Sequence, residues 1–225
     1  MRIETKNDCV VIALTGWGHD FSWLEPSERG STVFLAESRD HLSEIVKKHM
    51  GQKVVLCGWS LGGIHALEFA TQNQGIQGLI CLGTTSRFCG NSTDLHAASS
   101  ASLLAMKRGL DKNKRGLGEK FIQLVHGDEE PALLESFLNI EDDFLKQGLE
   151  ALSTIDLDSS LGELNIPTMV LHGRLDSLIP FAAGEKLASL IPDSKFVEVE
   201  QGGHNFVFSR DVFLEQRISE FLDNL

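Results

Sequence analysis

Short apolar runs punctuate the chain at residues 10–14, 32–35, 54–57, 79–82, 168–171 and 196–199. Runs of this length, rich in Val, Ile and Leu and bounded by polar segments, predict strands, most of them buried on both faces. Between them, apolar positions recur at helical spacing near 40–49, 61–73, 181–190 and 210–223. Strands alternating with helices predict a mostly parallel α/β sheet with helices on both faces.

From Thr84 to about Ile155 this rhythm stops. The segment is helical and charged, with Asn, Ser and Gly near its start and glycines at 109, 116 and 118. Strands resume at 168, so the segment reads as an insertion into a continuous sheet. Open α/β sheets bind ligands beyond the carboxyl ends of their strands. A helical lid over about 87–155, on one domain spanning 1–225, is the expectation.

Composition narrows the function. A formal charge of −12 argues against a general nucleic-acid binder, whose affinity rests on clustered Lys and Arg. No apolar stretch approaches the ~18 residues of a membrane span. The opening MRIETKNDCVVIAL lacks the order of a secretory signal and reads as the start of the fold. Cys9, Cys57, Cys81 and Cys89 form no CxxC pair, and three of them sit in or beside apolar runs. Reduced buried thiols and a cytoplasmic location follow as expectations. The eight histidines show no zinc spacing, so neither a metal nor a cofactor is expected.

Residues 58–63, GWSLGG, carry the sharpest signal. Gly58-Trp59-Ser60-Leu61-Gly62 fits G-x-S-x-G, with an apolar run before it and a helical pattern after it. Such a corner lifts the Ser60 hydroxyl off the sheet, and glycine on either side permits close helix–strand approach. A hydroxyl becomes a nucleophile only beside a base, and the base needs a carboxylate to fix its tautomer. Both follow in the required order. Asp176 lies in the loop HGRLDSLIP after the strand at 168–171, and His204 lies in GGHNFVF after the strand at 196–199. His172 is the rival base, but its place at a strand end just before the acid suits a structural role; His19 and His65 are further candidates for the cleft. Acyl transfer also needs N–H donors for the oxyanion. Leu61 supplies one, and Trp17, in Thr15-Gly16-Trp17-Gly18, is the candidate for the other. The Trp17 and Trp59 indoles are candidates for the acyl-pocket wall, and Leu103, Leu104, Met106, Phe121 and Leu124 for a groove in the lid, with plain core packing the alternative for each.

With these residues in view the chain resembles the α/β-hydrolases, and more narrowly the pimeloyl-acyl-carrier-protein methyl ester esterases of biotin synthesis. The resemblance rests on GWG at 16–18, GWSLGG at 58–63, TTSRF at 84–88, TIDL at 154–157, Pro167, GRLDSLIP and GGHNFVF. It covers most of the core and little of the lid. Two departures stand out: Thr15 replaces the histidine usual before Gly-Trp-Gly, and the aspartate-proline-glycine loop after the second core strand is missing. The sheet is therefore trimmed on its N-terminal side, with a more open pocket there.

The resemblance implies a serine esterase that removes the methyl ester from a pimeloyl chain carried by acyl carrier protein. That partner is acidic, and a chain at −12 should repel it unless a basic patch faces it. Lys107, Arg108, Lys112, Lys114, Arg115 and Lys120, against Asp111 and Glu119 alone, form such a patch within 107–120. Arg108, Lys112, Lys114 and Arg115 are its proposed contacts. Two alternatives stand beside this reading: a general carboxylesterase or thioesterase acting on free small esters, and a hydrolase-fold binding protein without turnover.

Overall fold

The computed structural model describes residues 1–4, 9–25, 32–90, 98–128 and 130–225. Six strands form one sheet: β1 (Cys9–Leu14), β2 (Thr32–Leu35), β3 (Lys53–Trp59), β4 (Gly78–Leu82), β7 (Thr168–Gly173) and β8 (Ser194–Val199). Their order is β2-β1-β3-β4-β7-β8, and every neighbouring pair is parallel.

Period-two geometry sends alternate side chains to opposite faces. Val10, Ile12 and Leu14 of β1 join Val54 and Leu56 of β3 in one core, against α1 (Arg39–Lys48), α2 (Leu61–Gln72) and Leu187 of α7 (Phe181–Leu190). Cys9, Val11 and Ala13 join Val55 and Cys57 in the other, against Leu214, Ile218, Phe221 and Leu222 of α8 (Val212–Asp223). Both faces are thus covered, as an all-parallel sheet requires.

The predicted strands and outer helices lie within about two residues of their expected places, the usual latitude of element ends. Ser38 starts α1 by accepting the His41 N–H, and Asp211 starts α8 by accepting the Phe213 and Leu214 N–H groups, satisfying donors the first turn leaves orphaned.

Between β4 and β7 stand four helices: α3 (Ser100–Lys112), α4 (Lys114–His126), α5 (Pro131–Asn139) and α6 (Asp142–Thr154). Sequence patterning left out two short strands, β5 (Cys89–Gly90) and β6 (Ala98–Ser99), which pair with each other; two residues are too few for any periodicity. The points where the chain leaves and rejoins the sheet are joined. Arg87 bridges antiparallel to Asp156, Leu157 N–H donates to Ser86 O at 3.0 Å, and Asp158 accepts Ser86 Oγ at 2.5 Å and Lys186 Nζ at 2.6 Å. No helix among the described residues is long and apolar enough to cross a membrane.

Candidate active site

Ser60 occupies the corner between β3 and α2 at φ 55° and ψ −120°, the only non-glycine at positive φ among the described residues. Such a conformation persists only where its surroundings over-determine it. Ser60 N–H donates to Leu82 O at 2.9 Å, and its carbonyl accepts Thr84 Oγ1 at 2.7 Å. The flanking glycines are sterically required: a Cβ on Gly58 would lie 2.4 Å from Gly62 O, and one on Gly62 2.4 Å from Leu14 O.

The two later loops bring their residues to this corner. His204 Nδ1 lies 2.7 Å from Asp176 Oδ2, and its Nε2 lies 2.9 Å from Ser60 Oγ. A carboxylate only accepts, so Nδ1 carries the proton and Nε2 receives the serine O–H. All three residues are buried, at 7% exposure for Ser60, 8% for Asp176 and 3% for His204. Burial pushes the Asp176 carboxyl up, but the charge and hydrogen bond of His204, then His172 and the Ile179 N–H, outweigh it and hold the acid below its usual value. Asp176 Oδ1 also accepts the Leu178 and Ile179 N–H groups at 2.9 and 2.8 Å, fixing the carboxylate plane.

His172, the rival base, is held by partners other than Ser60. Its fully buried ring gives Nε2–H to Ile179 O at 3.0 Å and lies 3.5 Å from Asp176 Oδ2, a place behind the acid.

The loop after β1 runs beside Ser60: a Cβ on Gly16 would sit 3.1 Å from Ser60 Cβ. Thr15 closes this loop, donating Oγ1–H to Asp20 O at 2.7 Å and accepting Trp23 Nε1–H at 3.2 Å. Leu61 opens α2, so no earlier turn offers its N–H a carbonyl.

A cavity of ≈ 350 Å³ adjoins this corner. Leu14, Trp17, Leu61, Leu145 and Ile155 give it an apolar wall, while Glu37, Arg39, His65 and Glu68 line it on the α1 and α2 side. Exposed Glu37, Ser38 and Arg39 on one rim and Phe144, Gln147 and Thr154 on the other mark an opening between α1 and α6.

The cavity divides the candidates for its wall. Trp17 lines the cavity but Trp59 does not: its inward position on β3 buries it beneath the histidine loop, where Nε1–H donates to His204 O at 3.1 Å. Leu103, Leu104, Met106, Phe121 and Leu124 line no part of the cavity; Leu103 and Phe121 are core, and Leu104 and Leu124 face outward. Helix α6 supplies that wall instead, through Phe144, Leu145, Gly148 and Ala151. A helical pattern shows that a face is apolar without saying which neighbour it meets, so this role left no signal in the sequence.

His19 and His65 both line the cavity. His19 Nε2 also lies 3.0 Å from His126 Nε2, and His126 lines a broader cavity of ≈ 990 Å³ behind the histidine loop. Burial lowers His19 to about 3 and His126 to about 4, so both are neutral near pH 7.

The basic segment is partly spent on internal pairs. Lys107 meets Glu150 at 2.8 Å, Lys114 meets Asp142 at 2.8 Å, and Arg115 meets Glu135 at 3.3 Å. Arg108, Lys112 and Lys120 are exposed and make no ion pair among the described residues.

The profile of the serine aminopeptidase S33 family matches residues 7–211. The chain belongs to this hydrolase family. Among its relatives, the pimeloyl-[acyl-carrier protein] methyl ester esterase of Chromobacterium violaceum is 24% identical, over 95% of this chain and 94% of that one. The enzyme of the same name from Nitrosomonas europaea is 27% identical, over 87% of this chain and 81% of its own. A bromoperoxidase from Bacillus anthracis superposes at a TM-score of 0.84 with 19% identity, over 97% of this chain and 93% of that one. This S33-family chain has the α/β-hydrolase fold.

Proposed function

We propose that this S33-family chain is a carboxylic ester hydrolase in which Ser60, His204 and Asp176 act as nucleophile, base and orienting acid. The observation that carries the reading is the buried row from Asp176 Oδ2 through His204 to Ser60 Oγ, at 2.7 and 2.9 Å. Ser60 Oγ attacks the ester carbonyl carbon while its proton passes to His204 Nε2. The Leu61 and Trp17 N–H groups receive the oxyanion, and each such donor contributes about 3–4 kcal/mol by mutational precedent. Collapse expels the alcohol, which takes the proton from His204. Water then attacks the acyl-enzyme, giving its proton to His204, and the acid leaves as Ser60 recovers its hydrogen.

For the substrate we propose a methyl ester on a pimeloyl chain borne by acyl carrier protein, in keeping with what the curated relatives are named for. The helices between β4 and β7 serve as lid. Arg108 and Lys112, one turn apart on α3, join Lys120 as exposed cations without an ion pair among the described residues, and these are the ones to meet an acidic carrier; Lys114 and Arg115 would first have to leave Asp142 and Glu135. Those internal pairs, with the opening between α1 and α6, favour a second reading, an esterase of free small esters.

The deciding measurement is kcat/KM for pimeloyl-carrier-protein methyl ester beside free dimethyl pimelate, at low and moderate salt. A carrier-linked preference that shrinks with salt supports the first reading. Equal rates support the second. Fluorophosphonate labelling of the wild type that persists in Ser60→Ala would remove the nucleophile assignment from both.

A further inference from the structure

We propose that the helices between β4 and β7 hold the loop 16–20 in its oxyanion-binding position through a three-point clasp, which makes His126 and Ser136 positioning residues. The proposal rests on the reading of the Trp17 N–H as an oxyanion donor.

Three side chains of this short loop reach three different helices. Trp17 Nε1–H donates to Leu145 O on α6 at 2.9 Å. His19 pairs with His126 on α4 at 3.0 Å. Asp20 Oδ2 accepts the Ser136 hydroxyl on α5. The histidine pair has a defined direction. His19 Nδ1 lies 3.1 Å from Trp17 O, a group that only accepts, so Nδ1 carries the His19 proton. Its Nε2 is then an acceptor, and His126 Nε2–H must be the donor. The loop's own carbonyl and the helix thus grip opposite edges of one imidazole.

Packing removes the remaining freedom. The Trp17 ring meets Phe121 edge-on at 4.7 Å and Phe137 at 5.6 Å. Gly18 sits at φ +71°, and a Cβ there would lie 2.8 Å from the Phe137 ring. A Cβ on Gly148 would lie 2.6 Å from Trp17 Cδ1, so α6 comes as close to the indole as glycine permits. If the helices swung away as a body, the loop would go with them or lose all three bonds. The opening between α1 and α6 lets substrate reach the cavity without that movement.

A donor placed for the oxyanion acts in the transition state, so loosening it should lower kcat and leave KM in place. The test compares His126→Phe, which keeps an aromatic ring without a donor, His126→Gln, whose amide N–H can still reach His19, and Ser136→Ala. Each is assayed on a free small ester, with folding checked by thermal melting. His126→Phe should lose roughly 10- to 100-fold in kcat, the scale set by small misplacements of catalytic groups, with KM within about twofold. His126→Gln should recover most of it, and Ser136→Ala should show a smaller loss of the same kind.

Unchanged kcat in both His126→Phe and Ser136→Ala overturns the clasp, as does a loss in His126→Phe that His126→Gln does not repair. If His126→Phe fails to fold, the split between kcat and KM in Ser136→Ala decides. Trp17→Pro removes the N–H itself: unchanged kcat there would strike the oxyanion reading, and an active Ser60→Ala the nucleophile reading, so these failures are separable from that of the clasp.

Discussion

Ser60 holds a backbone conformation that costs of order 1–3 kcal/mol, stabilised by the Leu82 carbonyl, the Thr84 hydroxyl and two glycines that leave no room for a methyl. Gly62→Ala should therefore disrupt the corner itself, lowering Tm and activity together, because its Cβ meets backbone oxygen and not a flexible side chain. Ser60→Ala should keep the fold and lose activity by at least about 10⁴-fold. Asp176→Asn should lose about 10⁴-fold in kcat, since an amide no longer dictates which His204 nitrogen carries the proton. The His19–His126 pair gives a pH signature. Both groups have folded pKa values below the ordinary 6.5, so as pH falls the unfolded chain takes up protons first. Their contribution is complete above pH 6.5 and declines as pH falls towards about 4 for His126 and about 3 for His19. The denaturant midpoint should fall across that window, and fall less in His126→Phe.

At the scale of elements, strands were legible because their composition answers to burial alone. Residues 54–57 and 79–82 are apolar whichever side chains face them, and the corner at Ser60 follows from Gly-x-Ser-x-Gly between a strand and a helix. Asp176 and His204 could be placed for the same reason, each just past a strand end. The helices of the insertion were legible as helices, yet Leu103 turns inward while its neighbour Leu104 stays half-exposed, and α6 supplies the cavity wall. Which face meets which partner depends on crossing geometry that no periodicity encodes. Phe137 is the pivot of that packing, fully buried between Trp17, Gly18 and Gly118. Phe137→Ala should cost about 3–5 kcal/mol, read as a shift in denaturant midpoint. If the helices and the loop act as one body, its kcat at temperatures below unfolding should fall as well.

Over the whole molecule a net charge of −12 sets the long-range field, and the basic residues between 107 and 120 are the local exception. Charge reversal at Arg108 and Lys112 should reduce turnover of a carrier-linked ester at low salt and leave a free ester unaffected, and the difference should vanish as salt screens it. The chain's connectivity also sets an order of assembly. Strands β1 to β4, with α1 and α2, are near neighbours in sequence, but β4 pairs with β7 only across the whole stretch from Gly83 to Pro167. Closing so long a loop costs entropy before any contact repays it. The first half of the sheet should therefore gain hydrogen-exchange protection early during refolding. The Ser60 corner would then be formed well before Asp176 and His204 arrive, so recovery of catalysis should lag behind recovery of that protection.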